Sequence, residues 1–429
     1  MLKKTGLHVL IISFGYPPLP HVSGTRAARM ALELSGLGWD VSVITVEWSD
    51  PPLPRIRSVE ETVITALSEC SPRRVAIDGR LSNPAFHPGA IPKTTEAHLR
   101  NAFASKLRTA YRIFAWGPFS RWARLAFDAG RRLHDRKPID VIWAIHGDDS
   151  CHEIAFRLHC KFHKPWIADY KDPWDAFHSG LARPLQRIAT RHRLATACTI
   201  TETCAAQADA DRRLFGKTTK VIYSGYDPGP MACATPQKLG CGDLSMAYLG
   251  NLDSTHDLHL LPEILRELRQ RGSLGPMRLV FHHFGLPEGQ FRAIFDEAGF
   301  PDNVHEHGLV VPNEAFSVMR GADVLLLLVP RKFAIGVKEL EYFASGTPVM
   351  ILGEPLADMK EIIRDLSQVI IIRTASEGAD FLEREFAYLG QQGNSPTRGC
   401  VNSPALTRFS WQQQAFRLAD VLHGAVFNQ

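Results

Sequence analysis

Residues 9–46 read VLIISFGYPPLPHVSGTRAARMALELSGLGWDVSVITV, and this stretch decides the fold. It opens on an apolar, β-branched run at 9–13 and passes through a Pro/Gly loop at 16–24. Ala27, Met30, Ala31 and Leu34 then recur at the i, i+3, i+4, i+7 spacing of one helix face, and 41–46 is apolar and β-branched again. Gly36 and Gly38 punctuate the helix end. Strand, helix and strand in that order predict a βαβ unit and so a parallel sheet.

Outward from this unit the alternation continues. Residues 48–99 are Pro-rich and weakly periodic, which predicts an irregular insertion. Strands are expected at 141–145, 166–169, 198–201 and 221–223, with helices near 152–162 and 181–195. Residues 224–243, rich in Gly, Pro and small side chains, suit an interdomain linker. Beyond it, strands are expected at 246–249, 279–284, 304–307, 324–329, 349–352 and 369–372. The clearest helix between them uses Leu260, Leu261, Ile264, Leu265 and Leu268, and a last helix is expected at 410–424. The expected fold is therefore α/β: two Rossmann-like, doubly wound domains facing across a cleft, covering 1–228 and 229–408, with a C-terminal crossover helix at 409–429. Ligands of such sheets bind at the carboxyl ends of the strands, which makes the cleft the expected site.

Composition agrees. A chain of 429 residues is long for one domain. The hydrophobic share of 45% and charged share of 22% are those of a globular protein rather than a disordered one. A net charge of +4 makes no general case for nucleic acid. The eight cysteines include no C-x-x-C pair, so a zinc ribbon or dithiol motif is unsupported and free thiols in a reducing compartment are expected. Lys3-Lys4 before an apolar run imitates a signal peptide, but the run 7–14 is short, carries His8 and ends in Tyr16-Pro17-Pro18. A buried first strand fits better. No 18 apolar residues occur together, and a cytoplasmic protein is expected.

The stretch with most chemistry is Gly336-Val337-Lys338-Glu339-Leu340-Glu341-Tyr342-Phe343-Ala344-Ser345-Gly346-Thr347-Pro348. Lys338 and Glu341 are three apart and share a helix face. A cation beside the free N–H groups of a helix N-terminus suits a pyrophosphate, and a carboxylate one turn deeper suits paired ribose hydroxyls. Alone, the pair would read as a surface salt bridge.

The stretch resembles the K-x-x-E-Y-x-x-x-G-x-P segment in the donor domain of GT-B glycosyltransferases of the GT4 type. Further segments resemble that type in the same order. They are Ile11–Pro18 with Ser23-Gly24-Thr25-Arg26, then Gly38–Thr45, and Asp169-Tyr170-Lys171-Asp172-Pro173-Trp174, which is similar to a D-x-R-D-x-W of one branch. Ile222–Asp227, Tyr248-Leu249-Gly250-Asn251-Leu252, Gly308–Pro312, Ala322-Asp323-Val324 and Phe409-Ser410-Trp411 follow. The resemblance spans nearly the whole chain except 48–135.

It implies a hexosyltransferase-type enzyme that moves a sugar from a nucleoside-diphosphate sugar to a hydroxyl acceptor, with retention and without a metal or other cofactor. Gly250, Asn251 and Lys338 would lie against the diphosphate, Glu341 would bind the ribose, and backbone at Leu309 and Val310 would hold the base. Gly24 and Arg26 would lie on the acceptor side, near the transferred sugar. His146, a sugar-contacting histidine in some relatives, and Asp172 are the catalytic candidates; as a plain polar loop residue, His146 is equally well explained. The sequence departs from the type in two places. Phe333 stands eight residues before Glu341, where members carry a first glutamate, and Asn251–Asp257 offers only His256 where Arg and Lys are usual. Arg331 or Lys332 would have to share the charge balance with Lys338. A decayed nucleotide-sugar-binding protein, or an epimerase of similar fold, remains an alternative.

Two further patterns read as background. Asp209-Ala210-Asp211 spells D-x-D, but helical spacing separates its carboxylates and it is expected at the surface. His305-Glu306-His307 places two imidazoles on one strand face without a visible third ligand. Residues 100–137 differ: ten Lys/Arg face only Asp128 and Asp135, and Phe103, Tyr111, Phe114, Trp116, Phe119, Trp122 and Phe127 are interleaved. Such a segment suits an anionic membrane surface carrying a lipid-linked acceptor. It suits equally a helical hairpin with its aromatics packed inward. The acceptor is accordingly a lipid-linked sugar or a small molecule, and no nucleic acid partner is expected.

Overall fold

The computed structural model describes residues 6–17, 23–47, 75–76, 120–147, 149–174, 178, 183–240, 243–252, 256–272, 279–286, 288–329, 335–392, 399–400 and 404–427. Arg331, Lys332 and Phe333, most of the insertion at 48–99, and 100–119 of the basic aromatic segment lie outside these residues. The chain forms two compact units, Met1–Ser224 with Trp411–Gln429, and Gly225–Ser410.

The first unit is built on a six-stranded sheet of order β2-β1-β5-β6-β7-β8, every pairing parallel. Its strands are β1 (His8–Ser13), β2 (Asp40–Ile44), β5 (Val141–Ile145), β6 (Trp166–Tyr170), β7 (Thr199–Glu202) and β8 (Thr219–Val221). A separate short pair joins β3 (Val46–Glu47) to β4 (Val75–Ala76). A parallel sheet is covered on both faces, which is why β1 and β5 are apolar and buried at almost every position rather than alternating.

Helix α1 (Ser23–Gly36) packs against the C-terminal helix α14 (Trp411–Phe427) in this unit. There the His423 ring lies tilted against Trp39, the centroids 4.6 Å apart. The other face carries α2 (Ser120–Arg136), α3 (Asp149–Phe162), α4 (Arg183–Leu194) and α5 (Ala205–Phe215) over a core of Ile12, Trp122, Ala126, Leu158, Trp166 and Ile200. Helices α2 and α3 approach so closely that a Cβ on Gly130 would stand 2.8 Å from Leu158 Cδ1. The described part of the basic aromatic segment thus answers part of the question left by its sequence. Trp122 is buried in the core and Phe127 packs against it, so these aromatics face inward.

The second unit repeats the plan with order β11-β10-β9-β12-β13-β14, again parallel throughout. The strands are β9 (Leu244–Leu249), β10 (Leu279–Phe284), β11 (Val304–Glu306), β12 (Val324–Leu328), β13 (Val349–Leu352) and β14 (Val369–Ile372). Helices α7 (Leu260–Arg271), α8 (Gln290–Ala298) and α12 (Ala375–Gln392) cover one face. The short α6 (Pro228–Cys233), α9 (Pro312–Gly321) and α10 (Val337–Ser345) pack on one another. Two short helices, α11 (Ala357–Ile363) and α13 (Pro404–Thr407), complete the unit.

Each sheet has one point where the chain leaves a central strand in both directions. In the first unit it lies between β1 and β5, in the second between β9 and β12. Ligands of doubly wound sheets bind at the carboxyl side of that point.

Candidate functional site

In the second unit the carboxyl end of β9 runs into Gly250, whose φ of +141° lies where a side chain is strained. A Cβ there would stand 3.2 Å from Lys338 Nζ. Lys338 is the second residue of α10, which follows β12, so the topology brings Gly250 and Lys338 to opposite sides of the switch point. The ammonium donates to Tyr248 Oη at 3.3 Å and sits 4.5 Å from the centre of the same ring. It is partly exposed, and Lys338 belongs to the first turn of α10, whose backbone N–H groups have no partner within the helix.

The glycine turn is held from three sides. Gly250 N donates to Phe284 O at 2.9 Å, and His283 Nε2 donates to Gly250 O at 3.2 Å. A Cβ on Gly285 would stand 2.0 Å from that same carbonyl oxygen, so the backbones touch there. Asn251 Oδ1 accepts from Leu286 N at 2.9 Å. Tyr342 of α10 takes the Leu249 N–H at 2.7 Å and so fixes the helix to the end of the strand. Burial pushes the Tyr342 hydroxyl well above its ordinary pKa and keeps it neutral in this role.

Glu341 lies one turn beyond Lys338 and is half-buried. Glu339, between them in sequence, folds back instead: its Oε2 would be 2.7 Å from a Cβ on Gly336. Leu309, in the stretch after β11, is 70% exposed, and Val310 is half-buried. The neighbouring histidines are not ligands gathered round a centre. His307 and His282 share a hydrogen bond of 3.0 Å between Nε2 and Nδ1, and His305 stacks on His282. Among the described residues no group of three or more His, Cys, Asp or Glu side chains is arranged to hold a metal ion.

In the first unit Gly24 and His146 stand on the two sides of the switch point. A Cβ on Gly24 would approach Tyr16 Cα to 2.9 Å and the Gly15 carbonyl carbon to 3.2 Å, so only glycine lets α1 start this close to the loop after β1. His146 directly follows β5, is buried, and its backbone N–H donates to Asp169 O at 2.8 Å. Its Nε2 lies 3.4 Å from Asp149, the first residue of α3. Asp149 is in turn 3.2 Å from His178 Nε2 and 3.3 Å from Arg193. Burial opposes its ionisation, but Arg193 and the two imidazoles hold it well below the usual carboxylate range. Burial lowers the pKa of His146 against the pull of Asp149. His152 is lowered further, by burial and by His146, and its Nε2 donates to Ala144 O at 3.1 Å.

Arg26 is placed differently from the acceptor-side position expected of it. It is 3% exposed and makes a bidentate pair with Asp169 at 2.9 and 2.7 Å. It also donates to Tyr223 O at 3.1 Å and Ile222 O at 3.0 Å. Thr201 adds a bond of 2.6 Å to the same carboxylate. With its donors directed into this network, Arg26 ties α1 to the ends of β6 and β8. Asp172 lies just beyond β6, partly exposed, and pairs with neighbouring Lys171 at 2.6 Å. The D-x-D pair also needs a correction. Asp209 is exposed and bonds Arg212 at 2.9 Å, but Asp211 is buried beside Glu202 rather than at the surface. Burial and Asp211 push the Glu202 carboxyl well above its ordinary pKa.

Several of these residues gave no sequence signal of a site. His283 read as a strand residue, and Asp149, His178 and Arg193 are scattered over three segments. The weak cue for Asp149 was its position at a helix start, where carboxylates are favoured.

No family model matches the sequence, and no curated protein is similar to it in sequence at a significant level. Solved structures are similar in fold. Sucrose-phosphate synthase from Thermosynechococcus elongatus superposes with a TM-score of 0.62 at 15% identity, covering 99% of this chain and 100% of that one. HepE of Anabaena, solved in complex with UDP and glucose, gives 0.59 at 13% identity over 97% of this chain and 100% of that one. A glycosyltransferase from Rickettsia africae gives 0.61 at 11% identity over 99% of both chains. The chain has the GT-B glycosyltransferase fold, as its sequence led us to expect. At these identities the likeness is one of fold, and function has to be argued from the site.

Proposed function

We propose that the protein is a glycosyltransferase that moves a sugar from a nucleoside-diphosphate sugar to a hydroxyl acceptor, the second unit holding the donor. One observation carries the reading: the Lys338 ammonium stands at the N-terminus of α10, against the bare backbone of Gly250 and at the switch point of its sheet. The bond from the sugar to the diphosphate breaks with charge growing on the departing oxygen. A fixed cation and the unpaired N–H groups of a helix N-terminus stabilise that charge more as it grows, which lowers the barrier. A site of this kind supplies its positive charge without a metal.

In this reading the backbone of Gly250 and Asn251 lets the diphosphate approach, Glu341 takes the ribose hydroxyls, and the chain at Leu309 and Val310 lies along the base. Gly24 and His146 belong to the acceptor side of the first unit, with Asp172 near them; Arg26 holds that unit together instead of touching substrate. Retention of configuration rests on the GT4 resemblance. The HepE complex with UDP and glucose, in a chain of the same fold, favours a uridine diphosphate donor.

The test is a thermal-shift screen against UDP, GDP, ADP and their sugars, run on wild type and Glu341→Ala. At ligand concentrations ~100-fold above Kd the stabilisation is about 2.7 kcal/mol, a rise of roughly 5–10 °C for a unit of this size. One nucleotide should produce the shift, and Glu341→Ala should lose it while melting normally on its own. A wild type that no nucleotide stabilises, and that releases no diphosphate from any nucleotide sugar, would sink the proposal.

A further inference from the structure

The described aromatics of α2 point into the core. A different helix of the first unit, α4 (Arg183–Leu194), carries an exposed face of mixed character. This helix contains no acidic residue. Gln186, Thr190, Arg193 and Leu194 form its buried side, and the one inward arginine, Arg193, is matched by Asp149 and Glu153. The opposite side exposes Leu185 and Ile188, 50% and 63% accessible and one turn apart. Arg187 and Arg191 are exposed beside them, and Arg183 lies over the Trp174 ring at the start of the helix. The crest of the helix is therefore apolar, and its flank is cationic.

We propose that this face of α4 docks on the surface of an anionic phospholipid bilayer, with Leu185 and Ile188 entering the headgroup layer and Arg187 and Arg191 meeting the lipid phosphates. Two large aliphatic side chains left half or more in water gain by entering an apolar layer. The arginines gain from a negative surface within a Debye length. Nucleic acid would satisfy the arginines but leave Leu185 and Ile188 in water. A fluid lipid interface satisfies both without a shaped counterpart. The helix lies between the end of β6 and the start of β7, so it runs back from the carboxyl edge of the sheet. Leu185 and Ile188, in its first half, thus lie toward the edge that carries His146 and Asp172. The proposal does not depend on the donor-site reading.

The experiment is co-sedimentation of the full chain with vesicles of phosphatidylcholine alone, or with about one third phosphatidylglycerol. Wild type should sediment with the anionic vesicles only, and less so as salt rises. Ile188→Asp, and separately Arg187→Glu with Arg191→Glu, should each weaken partitioning ~10-fold or more. Both variants change exposed side chains, and an unchanged melting temperature confirms that they fold. Wild type that ignores anionic vesicles overturns the proposal, as do variants that sediment like wild type. A shift from dimer to monomer on Ile188→Asp in the absence of vesicles also overturns it, by assigning the face to a second copy of the chain.

Discussion

The carboxyl ends of the two sheets are built in opposite ways. In the second unit the candidate site is bare backbone: Gly250 against Gly285, one cation over them, and a helix N-terminus beside it. In the first unit the same position is filled with buried polar side chains that bond to one another, from Arg26, Asp169 and Thr201 to Asp149, His178 and Arg193. An open glycine turn leaves hydrogen-bonding capacity for a ligand. A closed network uses that capacity to fix loops. Similar topology therefore carries an open glycine turn in one unit and a closed polar network in the other.

The largest effect that would test this contrast is expected at Arg26. Arg26→Ala leaves the Asp169 carboxylate buried and unpaired, which costs about 3–5 kcal/mol. Denaturant unfolding should show the first unit collapsing early while the second unit still binds nucleotide. If stability is unchanged, Arg26 is no tie and its acceptor role returns. Next in size are the glycines. Gly285→Ala forces the backbone away from Gly250 O, and Gly24→Ala forces α1 off the loop at 15–16, each at roughly 1–3 kcal/mol. Only Gly285→Ala should also weaken nucleotide binding, as calorimetry would measure.

Lys338→Ala is expected to reverse the pattern: melting close to wild type, but a loss of about 10–150-fold in nucleotide affinity, the size of one charge-assisted contact. The smallest effect concerns pH. His282 is buried among His305 and His307, and burial followed by those two imidazoles lowers its pKa to about 4. The folded second unit thus binds this proton less readily than the unfolded chain, whose ordinary value is 6.5. Its contribution is complete above pH 6.5 and is lost as pH falls from there toward 4. His282→Gln should flatten the fall in melting temperature over that range; an unchanged slope would mean that His282 is already charged in the fold.

Much of this was legible beforehand. Strands β10, β13 and β14 fall where the sequence placed them, and for β13, apolar and buried throughout, the reason is that a parallel strand covered on both faces needs an unbroken run. Lys338 and Glu341 could be nominated because their spacing at a helix start is a local pattern, whereas Gly250 was nominated through the GT4 resemblance. The buried pairing of Arg26 could not be read beforehand because its partner Asp169 lies 143 positions away. Asp211 was misassigned because D-x-D spacing says nothing about the Glu202 facing it.

By itself, then, the sequence determined the alternation of strands and helices, the parallel sheets that follow from it, and the placement of Lys338 and Glu341 one turn apart on a helix. Those properties depend on periodicity and on neighbours within one turn. Only the tertiary structure decided the strand orders that create the switch points, the inward aromatics of α2, the outward leucine and isoleucine of α4, and the partners of Arg26 and Asp149. Each of these is settled by burial against segments far away in sequence. A buried charge takes its meaning from the partner that makes burial tolerable, and folding alone chooses that partner.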